Sequence, residues 1–408
     1  LSKKYLILGA GPAGLTVACS LLKKGIKDIT VLERAEEAGG LCRSVDADGR
    51  PLDIGGGHFL DVRRPAVDEF LFEYMPMDEW DRYERDSRIV VNDNVIGSPI
   101  EANIWQMKLE DQVEYLKAIA VAGCNLGTKM PEKFTDWIFW KLGSKVAEDY
   151  MIPYNQKMFG ENLDLLGTYW LEKLPNVSFE ETLLSCLTKK PYGTQPGHAE
   201  FFYPKKYGYG EVWLRMAQSL GDRIKYNEPA VSIDLDKKIV NDKYEADVII
   251  STVPWKSFKS IKGLSEEAMK GIDTLLSSSV VIEYFPEMLD TKAQWIYYPD
   301  SELSYHRILV RHNFCPDSKG YWTETNLTRF EEKNNGKHFA DSDKSGKASY
   351  INDYAYPLNT IGKPETMKKL LEEAASKNVI GLGRWGEHQH YNSDLVVELA
   401  MKLAQRLD

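Results

Sequence analysis

The chain has 408 residues, 43% hydrophobic and 27% charged, which is ordinary globular composition and enough length for roughly two to three domains. A formal net charge of -10 with no basic stripe excludes nucleic acid as a partner; the pairs Arg63-Arg64 and Lys205-Lys206 read as solvated loop charges. The five cysteines are widely spaced, with no CxxC and no metal-ligand spacing, so a reducing, cytoplasmic setting without a metal centre is expected, and no apolar run reaches the roughly 18 to 20 residues of a membrane span.

In chain order, Tyr5–Leu8 is a short apolar run that reads as a buried strand. A glycine turn follows, then helical spacing over 15–22, a stop at Gly25 and a second strand at Ile29–Leu32. The glycine pattern and this strand-helix-strand rhythm argue against reading the apolar start as a signal peptide. Strand-like stretches such as Ser87–Val91 alternate with turns up to residue 101, including the Asn92-Asp93-Asn94 turn. Residues 103–188 carry long amphipathic windows and read as a helical insertion. Residues 203–220 are a glycine turn leading into a helix, followed by strands near 224–226, 231–235, 238–240 and 247–252. Residues 277–356 look mainly β, with strands at 280–284 and 308–310; the polar stretch 331–347 reads as a mobile surface loop. A strand, a glycine loop and a helix close the chain. The expected fold is α/β: a Rossmann-like domain assembled from the discontinuous segments 1–65, 203–262 and 375–408, a helical domain at 103–188, and an antiparallel β-sheet substrate domain from 66–102 and 263–374.

Gly9, Gly11 and Gly14 form GxGxxG between a strand and a helix, and Glu33 ends the next strand. The first glycine allows the tight turn, the second lets backbone approach a pyrophosphate, and the third lets helix and strand pack closely. The helix N-terminus supplies N–H groups and the positive end of its dipole, and Glu33 can accept from ribose hydroxyls. Gly39-Gly40 and Arg43-Ser44 follow Glu33. This continuation resembles the paired-glycine extension of the FAD-binding amine oxidase, protoporphyrinogen oxidase and UDP-galactopyranose mutase superfamily, which implies FAD, with Gly40 and Arg43 near the cofactor. The competing reading of Arg43 is a solvated loop residue.

Several segments resemble UDP-galactopyranose mutases in order along the chain. Gly56-Gly57-His58 is similar to the family's glycine-histidine loop beside the flavin ring. The stretch 154–160, YNQKMFG, resembles the segment that supplies an aromatic to uracil, with Tyr154 as stacker and Phe159 where bacterial members commonly have tryptophan. The run 295–308 resembles the family's WxYFP stretch followed by Tyr-x-Arg, and carries Arg307 to a diphosphate-binding position. Tyr356-Pro357 resembles a Tyr-Pro element that also holds the diphosphate. GRWGEHQHYNSD is similar to the late flavin-contacting loop, with Arg384 by the cofactor and Asn392 near it. At the family's second diphosphate arginine this chain offers Lys173, which supplies charge but not a bidentate fork.

The resemblance implies a UDP-sugar substrate whose pyranose and furanose forms are interconverted through an N5 adduct of reduced FAD. It leaves open NAD(P)H as an external reductant and a homo-oligomeric state. His58 and Arg307 are the residues closest to the chemistry. Other readings stand beside these: an ion pair with a strand carboxylate for Arg307, a core position for Tyr356, packing within the helices for Tyr154, and a hydrogen-bonded loop residue for His58. His388 and His390 alternate in a glycine-flanked loop; with no Cys or acidic companions, they read as surface or active-site lining. The rival function is an FAD-dependent oxidase or desaturase that passes hydride to flavin; a non-enzymatic flavin-binding protein is the third.

Overall fold

All four residues of Tyr5–Leu8 are buried, as a strand flanked on both sides in a parallel sheet requires. In the computed structural model, which describes residues 3–125, 127–171, 178–192, 199–334 and 347–408, this strand is the centre of a five-stranded sheet. The order is Ile224–Lys225, Ile29–Leu32, Tyr5–Leu8, Val248–Ser251, Val379–Gly381, and every pairing is parallel. Segments hundreds of residues apart thus meet in one sheet, as their apolar, glycine-bounded runs suggest. The helix Pro12–Lys23 starts on proline, whose missing N–H costs nothing there, and buries Leu15, Val17, Ala18 and Leu21. Leu6, Leu8, Ile249, Trp255, Met367, Leu370 and Val379 share one core. Each such large side chain contributes about 1.5 to 3 kcal/mol of burial.

The chain forms two compact units. The first comprises Leu1–Asp81, Phe202–Leu276 and Gly362–Asp408; the second comprises Arg82–Phe201 and Ser277–Ile361. These divisions differ from the sequence boundaries. The helices Pro65–Phe72, Glu266–Thr274 and Lys363–Ser376, assigned from sequence to the substrate portion, fold within the first unit, where the last two pack on the sheet core. The helical segment and the large antiparallel sheet, expected as separate domains, share the second unit.

That second unit is built on seven strands in the order Ala348–Pro357, Ser277–Phe285, Tyr321–Asn326, Arg307–Val310, Trp295–Tyr297, Ser87–Val91, Asn94–Gly97. Pairing is antiparallel except between Trp295–Tyr297 and Ser87–Val91. The hairpin between the last two strands turns at Asn92 and Asp93, both left-handed with φ 48° and 58°, which suits these residue types and the strand twist. Helices Leu109–Gly123, Phe134–Val146, Ile152–Phe159 and Phe179–Thr188 make up the helical part. Phe179–Thr188 opens on a reciprocal capping box between Ser178 and Glu181. The stretch 331–347, expected as a loop, begins inside the helix Leu327–Asn334; residues 335–346 lie outside the described residues. Among the described residues no helix is long and apolar enough to cross a membrane.

Candidate active site

The glycine turn of the first unit shows which glycines the protein itself demands. Gly9 has φ +98°, a conformation that strongly favours glycine. A Cβ on Gly14 would lie 1.9 Å from the Gly9 carbonyl oxygen, so helix and strand approach too closely for any side chain. Gly11 is different. Its Cβ would meet only the Gly40 Cα, at 3.9 Å, so the protein leaves that space open beside the helix start. Gly39 donates its N–H to the Ala10 carbonyl at 2.8 Å, which lays the paired-glycine extension against the turn. Gly40 has φ +55° and its own Cβ would come 3.3 Å from the Gly11 Cα. Glu33 is buried and accepts the Ala10 N–H at 2.7 Å and the Ala35 N–H at 2.9 Å, which fixes the carboxylate across the turn while leaving lone pairs for a ribose. Open glycine, uncapped helix N-terminus and anchored carboxylate together fit the ADP half of a dinucleotide.

Arg43 donates Nε to the Gly40 carbonyl at 3.0 Å, so it braces the glycine loop instead of extending into solvent. Beside it lies a buried hub that the sequence reading missed. Asp53, fully buried, accepts from Ser44 Oγ at 2.5 Å, the Tyr203 hydroxyl at 3.0 Å and the Tyr209 N–H at 3.2 Å. Ser44 in turn accepts the Gly210 N–H at 2.8 Å. The acid opens the same DIGGGH stretch that drew attention to Gly57 and His58, and nothing in the local pattern marks it as buried. Gly57 and His58 are half-buried, and His58 Nδ1 lies 3.1 Å from the Gly56 carbonyl, a local loop bond.

The late loop carries Arg384, whose Nε and Nη2 donate to the Tyr391 carbonyl at 3.0 and 2.8 Å and close the loop on itself. Asn392 is exposed and stands at the N-cap of the helix Ser393–Arg406. His390 is exposed, but His388 is not the lining residue expected. It is buried, with φ 50°, and its Nε2 lies 2.9 Å from the Leu276 carbonyl. Burial, reinforced by the positive Lys363 and Lys256, lowers its pKa to about 4. Lys363, equally buried, donates to the His388 carbonyl at 2.9 Å and Gln389 Oε1 at 3.1 Å; desolvation lowers its pKa to about 8. The loop conformation is therefore enforced from beneath. Among the described residues no group of three His, Cys, Asp or Glu is placed to hold a metal.

In the second unit, strand register sets Arg307 directly opposite both Glu324 and Tyr297. Arg307 donates Nε to Glu324 Oε2 at 2.6 Å and Nη2 to the Tyr356 hydroxyl at 3.1 Å, while Nη2 lies 2.5 Å from the same Glu324 oxygen. The carboxylate reading of Arg307 is thus present in the structure, and Tyr356 belongs to the same cluster. Phe159 meets the Tyr356 ring edge-on at 6.3 Å. Tyr154 is buried: it stacks on Tyr150 at 5.5 Å and makes edge contacts with Tyr297 at 5.6 Å and His306 at 5.8 Å. Its ring is packed among these groups, as the core alternative holds. Lys173 lies outside the described residues. Glu324 and His306 were not singled out from sequence, because a strand carboxylate becomes significant only once its cross-strand partner is known.

The family model of flavin-containing amine oxidoreductases matches residues 12–325. Among curated proteins, the chain is 34% identical over 92 residues to coproporphyrinogen III oxidase of Mycobacterium leprae (strain TN), which covers 22% of this chain and 20% of that protein. It is 46% identical over 52 residues to an uncharacterized protein in the nifH2 3' region of Methanothermococcus thermolithotrophicus, 13% of this chain and 49% of that one. The match spans about a fifth and about half of these relatives. Among solved structures, reduced UDP-galactopyranose mutase superposes with a TM-score of 0.86 at 22% identity, covering 100% of this chain and 94% of that one. Cyclohexylamine oxidase from Brevibacterium oxydans IH-35A gives 0.67 at 14% identity, with 100% and 99% covered. At these identities the likeness concerns the fold, and the family model covers well over half of the sequence. The chain belongs to the flavin-containing amine oxidoreductase family.

Proposed function

We propose that the chain is a UDP-galactopyranose mutase-like flavoenzyme that interconverts the pyranose and furanose forms of a UDP-sugar with reduced FAD as cofactor. The observation that carries this reading is the Arg307 guanidinium donating to the Tyr356 hydroxyl at 3.1 Å, a pair of donors suited to a diphosphate. In the first unit Gly9, Gly11, Gly14, Glu33 and Gly40 would hold the ADP half of FAD, and Arg43, Gly57, His58, Arg384 and Asn392 belong to the loops assigned to the rest of it. Bound reduced FAD supplies the nucleophile that such an isomerisation needs. The protein's own work is then to hold the leaving diphosphate through Arg307 and Tyr356, with Lys173 as a second positive charge, and to offer the half-buried Phe159 ring to the uracil. An external reductant such as NAD(P)H would keep the flavin reduced.

The family match favours a second reading, an FAD-dependent oxidase. Purified holoprotein separates the two. The mutase reading expects UDP binding and conversion of a UDP-hexofuranose only after chemical reduction of the flavin. Peroxide release from an amine or a porphyrinogen, with no affinity for uridine nucleotides, would replace it with the oxidase.

A further inference from the structure

The loop 298–306 joins the strand that ends at Tyr297 to the strand that begins at Arg307, and its base is closed by the Tyr298 N–H donating to the His306 carbonyl at 2.9 Å. At its tip Asp300, Ser301 and Glu302 are exposed, where backbone carbonyls would ordinarily be left to water. Two cations take them instead. Lys157, 1% exposed, donates Nζ to the Tyr298 carbonyl at 2.8 Å and to the Asp300 carbonyl at 2.7 Å. Arg329, on the helix Leu327–Asn334, donates Nη2 to the Ser301 carbonyl and, at 3.5 Å, to the Leu303 carbonyl; its Nη1 also meets the exposed Glu161 at 3.4 Å.

Lys157 belongs to the helix Ile152–Phe159, so its bonds tie that helix to the loop. Burying an ammonium is costly unless its donors are met, which makes the pairing of helix and loop specific. The charge also reaches the far end of the loop: after burial and Arg307, Lys157 is the third cause that lowers the pKa of His306. From the neighbouring strand, Asn326 Nδ2 donates to the Met158 carbonyl at 3.3 Å and fastens the end of the same helix. That end carries Phe159, whose ring meets the Tyr356 ring edge-on, while Arg307 donates to the Tyr356 hydroxyl. The helix therefore brings the aromatic, the loop brings the guanidinium, and Lys157 joins the two.

We propose that Lys157 and Arg329 are positioning residues that hold Phe159 and Arg307 at a fixed spacing, so that the base and the diphosphate of one nucleotide bind together. The inference rests on the UDP-sugar reading of this site. Both residues act through the backbone of the loop. When the base is already seated, the diphosphate meets Arg307 as an intramolecular event, and the gain depends on how well the spacing of the two subsites matches the ligand. A loop free to slide against the helix leaves each subsite competent for its own half of the ligand but loses that gain, because a displacement of about 1 Å is enough to spoil the match. The signature of positioning is thus a loss confined to ligands that span both subsites.

The test is calorimetric titration of the holoprotein with UDP, with uridine and with inorganic pyrophosphate, in the wild type, Lys157→Met and Arg329→Gln. Methionine keeps an unbranched chain of similar length and removes the ammonium. Lys157→Met should lower UDP affinity about tenfold or more while the affinities for uridine and for pyrophosphate stay within about twofold of wild type. Arg329→Gln should lower UDP affinity about threefold, again with the fragments unchanged, the exposed pair with Glu161 counting for little. Thermal melts report folding; if Lys157→Met does not melt cooperatively, Arg329→Gln decides alone. UDP affinity that is unchanged in the folded variants, or that falls in step with the affinity for either fragment, would overturn this inference alone. Failure of the wild type to bind UDP would remove the UDP-sugar reading and the inference with it.

Discussion

Arg307 and Glu324 stand opposite each other on neighbouring antiparallel strands, with Nε 2.6 Å from Oε2. Because the carboxylate is buried, Arg307→Ala takes the closest positive charge away from a negative charge inside the sheet and is expected to lower stability by about 3 to 5 kcal/mol. The double variant Arg307→Ala/Glu324→Gln removes that charge and should recover a large part of the loss. Urea unfolding of the two variants checks this; equal losses would show that the pair carries no buried charge penalty.

The glycine turn predicts two different failures. Gly14→Ala places a methyl 1.9 Å from the Gly9 carbonyl, so the strand and helix must separate, with a loss of stability even without cofactor. Gly11→Ala meets nothing closer than 3.9 Å within the protein. Its apo-protein should melt within about 1 kcal/mol of wild type while flavin retention falls at least tenfold, since only a bound pyrophosphate needs that space. Thermal melts of apo-protein and fluorimetric FAD titration distinguish the two.

His388 sets a pH dependence. Its folded pKa of about 4 lies below the ordinary histidine value of 6.5, so the unfolded chain binds more protons between those limits. Its contribution to stability is therefore fully present above about pH 6.5 and is lost as pH falls through the folded pKa, by on the order of 3 kcal/mol in total. His388→Asn keeps a residue tolerant of the left-handed backbone and removes the titration. The slope of unfolding free energy between pH 6.5 and 4 should flatten in that variant, as read from denaturant midpoints in a buffer series.

Asp53 holds three donors from three parts of the first unit, Ser44, Tyr203 and Tyr209. Asp53→Ala removes the shared acceptor of these donors and should cost about 2 to 4 kcal/mol, together with weaker flavin retention because Ser44 anchors Gly210 beside the Arg43 loop. Chemical denaturation and the flavin-to-protein absorbance ratio report both effects.

The parallel sheet was legible from its apolar runs, and the glycine turn from its spacing, because both depend on patterns local to the sequence. The partners of Arg307 were not, since they follow from a register between strands that sequence leaves unspecified. The burial of His388 escaped for the same reason: its contact, Leu276, comes from a helix end 112 residues earlier in the chain. Tyr154 read equally well as stacker or as core, and only its ring contacts with Tyr150, Tyr297 and His306 reveal how enclosed it is.

The interleaving of the two units has a consequence for biogenesis. The first sheet pairs Tyr5 with Val248 and then Ile249 with Val379, while the second pairs Ser87 with Trp295. Neither sheet can close on a nascent chain until its distant strands have left the ribosome, and such long-range parallel pairing is slow. The early strands, apolar on both faces, must therefore be shielded through most of synthesis, and a chain stopped before residue 379 would present an open edge at Val248–Ser251 to aggregation.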